Sequence, residues 1–320
     1  MKLFVKIFIF LSTIYTQMSL AQKYEQPIPW DQAKTANTIP RAVIEAGDSV
    51  EWLDNGSSCS GQFLSNSGYF LTALHCIAKS ILNDGPNLSY TLGKQQNYKG
   101  WFVREFDALP YQTSSIVDSR HLHLQNENQE PRVIALGKGY FEIPPQVDKS
   151  NFESKLGEVE NLKQFQEDFS LLHFKLAQNN KHSCIKLSER IPDSGELAWL
   201  VGFPGDAISR NSTSTPTKYV LIGKLYNSFD DYKKASGKIT NYPEEAWFDE
   251  NRLMLLTGLP KSGMSGGAII DSNGHVVGIA IAGLSDIGVT IVQRATFIKS
   301  ELLRINGEEQ LTRILDCTTK

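Results

Sequence analysis

The sequence predicts an all-β fold, two paired antiparallel β-barrels with one short helix near the C-terminal end, and three observations carry that prediction. Apolar residues fall mostly in short runs, such as FSLLHFKL (169–176), LAWLVGF (197–203) and HVVGIAIAG (275–283), the length and pattern of half-buried or buried strands. Gly, Pro, Asn and Asp bound many of these runs, and those residues end strands and make turns. The runs also divide into two groups at SERIPDSG (188–195), a stretch rich in turn formers. Many short strands in two groups read as two closed sheets.

Taken in order, the first residues read as an export signal. Lys2 and Lys6 flank the start of an apolar stretch that runs on through 8–14, and Ser19-Leu20-Ala21 supplies small residues, placing a cut after Ala21. The stretch is too short and interrupted for a spanning helix, which sets aside a retained membrane anchor. Gln22, not a cysteine, follows the cut, so no lipid anchor is expected there. Residues 22–41 are polar and contain proline, and read as a loosely held lead or propeptide. The folded domain is expected over 42–305, with a first barrel over about 42–190 and a second over about 191–295. TFIKSELLRI, with Phe297, Leu302, Leu303 and Ile305 on its apolar side, places a helix over about 296–305. A tail, 306–320, follows.

Composition narrows the function classes. The 320 residues are 41% hydrophobic and 21% charged, the balance of a globular protein able to bury a core. A formal charge of −3 provides no basic field for a polyanion, so no nucleic-acid partner is expected, nor a membrane partner after signal cleavage. A monomer is expected. Four cysteines, Cys59, Cys76, Cys184 and Cys317, allow three pairings in an oxidising compartment. Cys59 and Cys76 bracket the hairpin-like segment GQFLSNSGYFLTAL, which would bring them together, leaving Cys184 with Cys317. The competing reading, a zinc site, lacks CxxC or paired Cys/His spacing. No metal or cofactor is expected.

Three segments carry chemistry: LTALHC (71–76), DFSLL (168–172) and GMSGG (263–267). A serine hydroxyl is a weak nucleophile until an imidazole takes its proton, and the imidazole needs a carboxylate to hold its tautomer. His75, Asp168 and Ser265 supply those groups in that order. Glu167 competes with Asp168, and the spacing also admits Asp107 and Asp148. His121, His123, His173 and His182 lack a motif and read as surface or structural. GMSGG also matches the G-x-S-x-G elbow, which requires a helix after the serine and a histidine further along the chain. Gly266-Gly267 starts a helix poorly, and His275, ten residues on across an expected hairpin, is the only histidine after Ser265. The elbow reading fails.

CSGQFLSNSGYFLTALHC resembles the histidine hairpin of trypsin- and chymotrypsin-like serine peptidases, DFSLLHFKL their aspartate strand, and LPKSGMSGGAIIDSNGHVVGI their serine loop and following hairpin. VGFPGD (201–206) is similar to a segment of bacterial secreted members, including the glutamyl-endopeptidase branch. The resemblance spans roughly 43–305 and implies two six-stranded barrels with the active site between them. It implies His75 as general base, Asp168 as its orienting acid, Ser265 as nucleophile, and the N–H groups of Gly263 and Ser265 as the oxyanion hole. The implied substrate is protein or peptide.

The sequence departs from that family at several points. Met264 precedes the serine where many members carry an aspartate that pairs with a new N-terminus, and Arg41 is followed by Ala42-Val43-Ile44-Glu45 rather than the usual new terminus. Activation through that ion pair is therefore not expected. Leu259 stands where the family's specificity floor lies, with GIAIAG (278–283) as the adjoining strand. Ile281, Gly283 and Gly288 are expected around the same pocket, Ile281 in place of a frequent serine. Without an acid at the floor, and with Ala280 where the glutamate-specific branch tends to carry histidine, an apolar or small residue is expected before the cleaved bond. The expected protein is an exported serine endopeptidase, the alternatives being an inactive binding protein of the same fold or a serine esterase.

Overall fold

The computed structural model describes residues 26–46, 49–54, 57–76, 115–117, 132–136, 167–173, 184–205, 217–237 and 248–317. The expected signal segment 1–21, Asp107, His121, His123, Asp148 and His182 lie outside the described residues.

The first half is a six-stranded antiparallel sheet. Its strands are β2 (Ser49–Asp54), β3 (Ser57–Phe63), β4 (Tyr69–Thr72), β5 (Ser115–Val117), β6 (Arg132–Leu136) and β7 (Ser170–His173), in the order β5-β2-β3-β4-β7-β6. The β3–β4 hairpin forms where expected. Its turn is closed by Leu64 N–H to Tyr69 O at 2.7 Å, and the Ser65 hydroxyl accepts from Tyr69 N–H. Phe70 and Leu71 are fully buried on opposite faces of β4, so this strand is covered on both sides and reads as a continuous apolar run.

The second half closes on itself. The strands β8 (Leu197–Gly202), β9 (Tyr219–Tyr226), β10 (Leu253–Thr257), β11 (Ala268–Ile270), β12 (Val276–Leu284) and β13 (Val289–Arg294) follow the order β9-β10-β13-β12-β11-β8. β8 then pairs back onto β9, giving a six-stranded barrel. Period-two alternation decides what goes inside. Ala198 and Leu200 of β8, Met254 and Leu256 of β10, and Val292 of β13 share one cluster, whereas their strand neighbours Trp199, Val201, Leu253 and Leu255 pack into outer clusters. Both faces of these strands are therefore buried, at about 1.5–3 kcal/mol for each large aliphatic side chain.

The N-terminal segment is not a loose lead. β1 (Ile28–Pro29) pairs with Tyr219 and Val220 at the edge of β9, and the helices α1 (Trp30–Thr35) and α2 (Arg41–Ala46) follow it. Trp30 N–H donates to Lys218 O at 2.9 Å and Trp199 Nε1–H to Thr38 O at 3.3 Å, while Trp30, Ala33, Ile39 and Val43 are buried. Helices this short are marginal alone, so packing rather than propensity holds them, which is why no periodic signal marked them.

A further helix was not expected from the sequence. α3 (Phe229–Ser236) starts at Ser228, whose hydroxyl accepts from Asp231 N–H at 3.0 Å, and stops at Gly237 in the left-handed conformation. The C-terminal helix α4 (Ala295–Ile314) also outruns the expected 296–305. Gly307 interrupts it, with φ 76° and ψ 170°, and the chain then resumes helical geometry through EEQLTRI. Leu311 and Ile314 are buried beyond this break and pull the expected tail onto the first half. Gln310 donates to the Tyr69 hydroxyl at 2.7 Å, Asn66 N–H donates to Asp316 O at 3.3 Å, and Cys317 is bonded to Cys184.

Candidate active site

β4 delivers His75 and β7 delivers Asp168, because Tyr69–Thr72 and Ser170–His173 are paired neighbours whose ends put both residues at one end of the sheet. His75 lies in the turn just after β4, where Cys76 N–H closes onto Ala73 O at 3.3 Å. The disulfide Cys59–Cys76 ties that turn to β3, at a Cα–Cα distance of 6.0 Å. His75 Nδ1 lies 2.6 Å from Asp168 Oδ2, and His75 N–H donates to Asp168 Oδ1 at 2.9 Å. Each carboxylate oxygen thus holds a different part of the same residue, which fixes both ring orientation and tautomer. Asp168 is buried, while the His75 ring is partly open to solvent. Burial depresses the imidazole's affinity for a proton, but the charge and hydrogen bond of Asp168 outweigh it, so His75 sits above its ordinary value of 6.5.

Glu167, the competitor, is accounted for differently. It is fully buried and paired with Arg252 Nη1 at 3.0 Å. Asp168, not Glu167, meets the histidine.

Ser265 sits in a loop between β10 and β11 that is pressed against the first half. Ser60 N–H donates to Ser265 O at 2.7 Å, the Ser60 hydroxyl donates to Gly263 O at 2.9 Å, and the same hydroxyl accepts from Phe203 N–H at 2.8 Å. Cys76 Sγ lies 3.8 Å from both His75 Nε2 and Ser265 O, so a single sulfur touches both sides of the site. The two loop glycines are required by this crowding. Gly263 has φ 92°, and a Cβ there would fall 2.2 Å from Gly205 N; Gly266 has φ 78°, and a Cβ there would fall 2.2 Å from Ser60 O.

The loop's N–H groups divide into two sets. Those of Met264, Gly266 and Gly267 donate to Lys261 O, Ala280 O and Met264 O. Among the described residues, the N–H groups of Gly263 and Ser265 have no acceptor within the chain. Two uncommitted donors flanking a hydroxyl can receive an oxyanion. Met264, between them, is fully buried in the barrel interior beside Leu200, Leu225 and Ala280.

A cavity of about 310 Å³ opens beside Ser265, lined by Leu259, Pro260, Ser262, Ala280, Ala282 and Gly283, with Lys261 and Ser285 also at its wall. The Lys261 ammonium rests over the Tyr219 ring, 4.5 Å from its centroid. Two expectations are corrected. Ile281 does not line the cavity: it is the extra residue of a bulge, since Ala280 pairs with Val292 and Ala282 with Ile291, and it packs against the apolar clusters instead. Gly288 does not line it either: it forms the β12–β13 turn, where its N–H donates to Leu284 O and its carbonyl accepts from Gly258 N–H.

The remaining candidates fall away from the site. His173 stacks on Tyr69 and contacts Ser67 O at 3.1 Å, and His275 sits in the β11–β12 turn, its carbonyl accepting from Asp271 N–H. Cys59, His75 and Cys76 place potential metal-ligand atoms within 4.8 Å of one another, but both sulfurs are tied up in the disulfide, leaving one imidazole as the only donor. The residues that motif reading missed are Ser60, Arg252 and Gln293. Gln293 Oε1 accepts from Asp168 N–H at 2.9 Å. None of the three stands in a recognisable pattern, because each acts across a long sequence separation.

Among solved structures, a Glu endopeptidase is 15% identical, with TM-score 0.46, over 87% of this chain and 95% of its own. Rv3671c from M. tuberculosis is 14% identical, with TM-score 0.42, over 84% and 92%. A serine endoprotease from Yersinia pestis is 16% identical, with TM-score 0.42, over 82% and 65%. No curated protein sequence matches the chain. The family model described as a trypsin-like peptidase domain matches residues 59–279, a span that takes in His75, Asp168 and Ser265 together, and on that match the chain belongs to the trypsin-like peptidase family.

Proposed function

We propose that this protein is an exported serine endopeptidase that uses His75, Asp168 and Ser265 as its triad. The observation that carries the reading is the two-point grip of Asp168 on His75, 2.6 Å at Nδ1 and 2.9 Å at the backbone N–H, docked against the Ser265 loop. Ser265 Oγ adds to the carbonyl carbon of the bound peptide while its proton passes to His75 Nε2. The carbonyl oxygen becomes an oxyanion between the N–H groups of Gly263 and Ser265. Collapse breaks the C–N bond, and the proton on Nε2 leaves with the amine. Water then repeats the addition on the acyl-enzyme, releasing the acid and restoring Ser265. Asp168 supports the middle of this cycle, because it favours the charged imidazole.

The cavity beside Ser265 supports an apolar or small residue on the acyl side of the cleaved bond. Leu259 and Pro260 offer no countercharge, Ala280, Ala282 and Gly283 are small, and Lys261, the one charged lining residue among the described residues, has its ammonium over Tyr219. Two disulfides support export to an oxidising compartment. The six-stranded antiparallel sheet of the first half supports a first barrel over about 42–190.

An active-site fluorophosphonate tests the reading. Ser265 is expected to be labelled, with labelling and casein hydrolysis both lost in Ser265→Ala. Casein left intact by a protein that labels and turns over short esters would replace the peptidase with an esterase, and no labelling at all would leave a binding protein. A peptide-library profile dominated by Arg, Lys or Glu before the cleaved bond would overturn the specificity.

A further inference from the structure

We propose that Gln293 is a positioning residue for the triad, holding the Asp168 backbone from the opposite half of the molecule so that the carboxylate meets His75 in register with Ser265. The inference rests on the peptidase reading and assigns that site a residue outside its motifs.

Both oxygens of Asp168 are engaged by His75, one at the ring and one at the backbone. The placement of the carboxylate must therefore come through the Asp168 main chain. That main chain lies between paired positions, with a bridge at Glu167 on one side and the β4–β7 ladder beginning two residues later at Ser170 pairing with Thr72. Its N–H is held by Gln293 Oε1 at 2.9 Å.

Gln293 is suited to the task. It is fully buried on β13, and its Nε2 donates to Arg252 O at 3.3 Å, so both ends of the amide are bonded and its orientation is set. A buried amide with one end unpaired would be costly, which makes the arrangement stiff. The neighbouring residue is gripped from the same side, since Glu167 pairs with Arg252 at 3.0 Å and Arg252 Nε pairs with Asp249 at 2.9 Å. The dipeptide Glu167-Asp168 is thus held at both residues by the barrel that carries the serine.

The route back to the serine is short. Gln293 is the register partner of Ile279 on β12, and the next residue, Ala280, accepts from Gly266 N–H at 2.7 Å, one residue beyond Ser265. Gln293 therefore ties the acid to the strand that also anchors the nucleophile's loop. Misplacement of reacting groups by about 1 Å can cost on the order of 10²-fold in rate, so this tie matters chemically even though Gln293 touches no substrate.

The test compares Gln293→Met, which keeps the length and the apolar contacts but removes the acceptor, with Gln293→Glu, which keeps an acceptor oxygen. Steady-state kinetics on a chromogenic peptide and NMR titration of the His75 ring are measured on the whole protein. Gln293→Met is expected to lower kcat about 10- to 100-fold with KM within about twofold. Among the described residues Asp168 is the charged group that raises His75, so a looser Asp168 should bring the His75 midpoint and the acid limb of kcat/KM down together. Gln293→Glu should recover most of kcat. A folded Gln293→Met with wild-type kcat and an unmoved His75 midpoint would overturn the proposal, as would a Gln293→Glu as impaired as the methionine variant. If Gln293→Met does not fold, Gln293→Glu decides alone: kcat near wild type supports the acceptor role, and a loss above tenfold sinks it. Ser265→Ala run alongside separates the two readings. Retained turnover there defeats the peptidase mechanism and this inference with it, whereas lost turnover beside an unaffected Gln293→Met defeats this inference alone.

Discussion

The serine comes from a half whose six strands pair into a closed ring, while the histidine and aspartate come from a six-stranded sheet whose described strands end at two separate edges, β5 and β6. In the barrel, the loop carrying Ser265 is stapled to β12 through Gly266 and packed on the interior through Met264. On the sheet side, His75 and Asp168 lie just beyond strand ends, and long-range contacts hold them instead. The Cys59–Cys76 bond fixes the histidine turn, the Ser60 hydroxyl joins β3 to the serine loop, and Gln293 and Arg252 clamp the aspartate. The lesson is that the barrel serves as the template against which His75 and Asp168 are set.

The strongest way to break this contrast is at Asp168. Asp168→Asn removes the charge but keeps the shape, and should lower kcat about 10⁴-fold by allowing the wrong tautomer. It should also move the acid limb. In the native protein His75 is raised above 6.5, so kcat/KM should fall as pH drops through a value above 6.5, and in the asparagine variant that limb should lie lower. The sign for stability is opposite in sense. A folded-state value raised above the unfolded one adds stability that is full below about pH 6.5 and fades as pH rises through the raised value. An acid limb that does not move in Asp168→Asn would break the assignment.

A smaller effect sharpens the comparison at the seam. Ser60→Ala leaves Phe203 N–H and Gly263 O without the hydroxyl they share, and should cost about 1–3 kcal/mol in urea unfolding together with a drop in kcat. Thr290→Val removes a hydroxyl bonded to Gly258 O at 2.8 Å inside the barrel, and should lower stability without touching kcat. Equal kcat losses in both would show that the seam has no special role. The smallest effect belongs to Met264. Because it is a core residue among aliphatic neighbours, Met264→Leu should cost under about 1.5 kcal/mol and leave turnover within about twofold. A collapse of activity would give that position a role beyond packing.

The parts of this arrangement that can be read in the sequence are those encoded locally. His75 and Ser265 announce themselves because a cysteine or a glycine set stands beside each, and the strands of the barrel announce themselves as bounded apolar runs. Asp168 is different: Glu167 sits next to it with the same charge, and only Arg252, 85 residues away, removes the ambiguity. Ile281 misleads because a bulge turns one residue out of the alternation, and no pattern in GIAIAG marks where that bulge falls. The N-terminal segment misleads for another reason: its two six-residue helices are stabilised by surfaces of β8 and β9 that lie far along the chain. α3 did carry its own signals, Ser228 at the start and Gly237 at the stop, within a stretch too polar to stand out as a run.

The C-terminal strap has a consequence for the order of events during synthesis. The hairpin that leads to His75 is pinned by Gln310 and Asp316, and Cys317 bonds to Cys184 across 133 residues. Gln310, Asp316 and Cys317 are made after the serine loop and its barrel. While the chain is being made, the serine loop and its barrel are therefore in place before the strap that steadies the histidine hairpin exists, and that hairpin is pinned only when residues 310–317 fold back onto it.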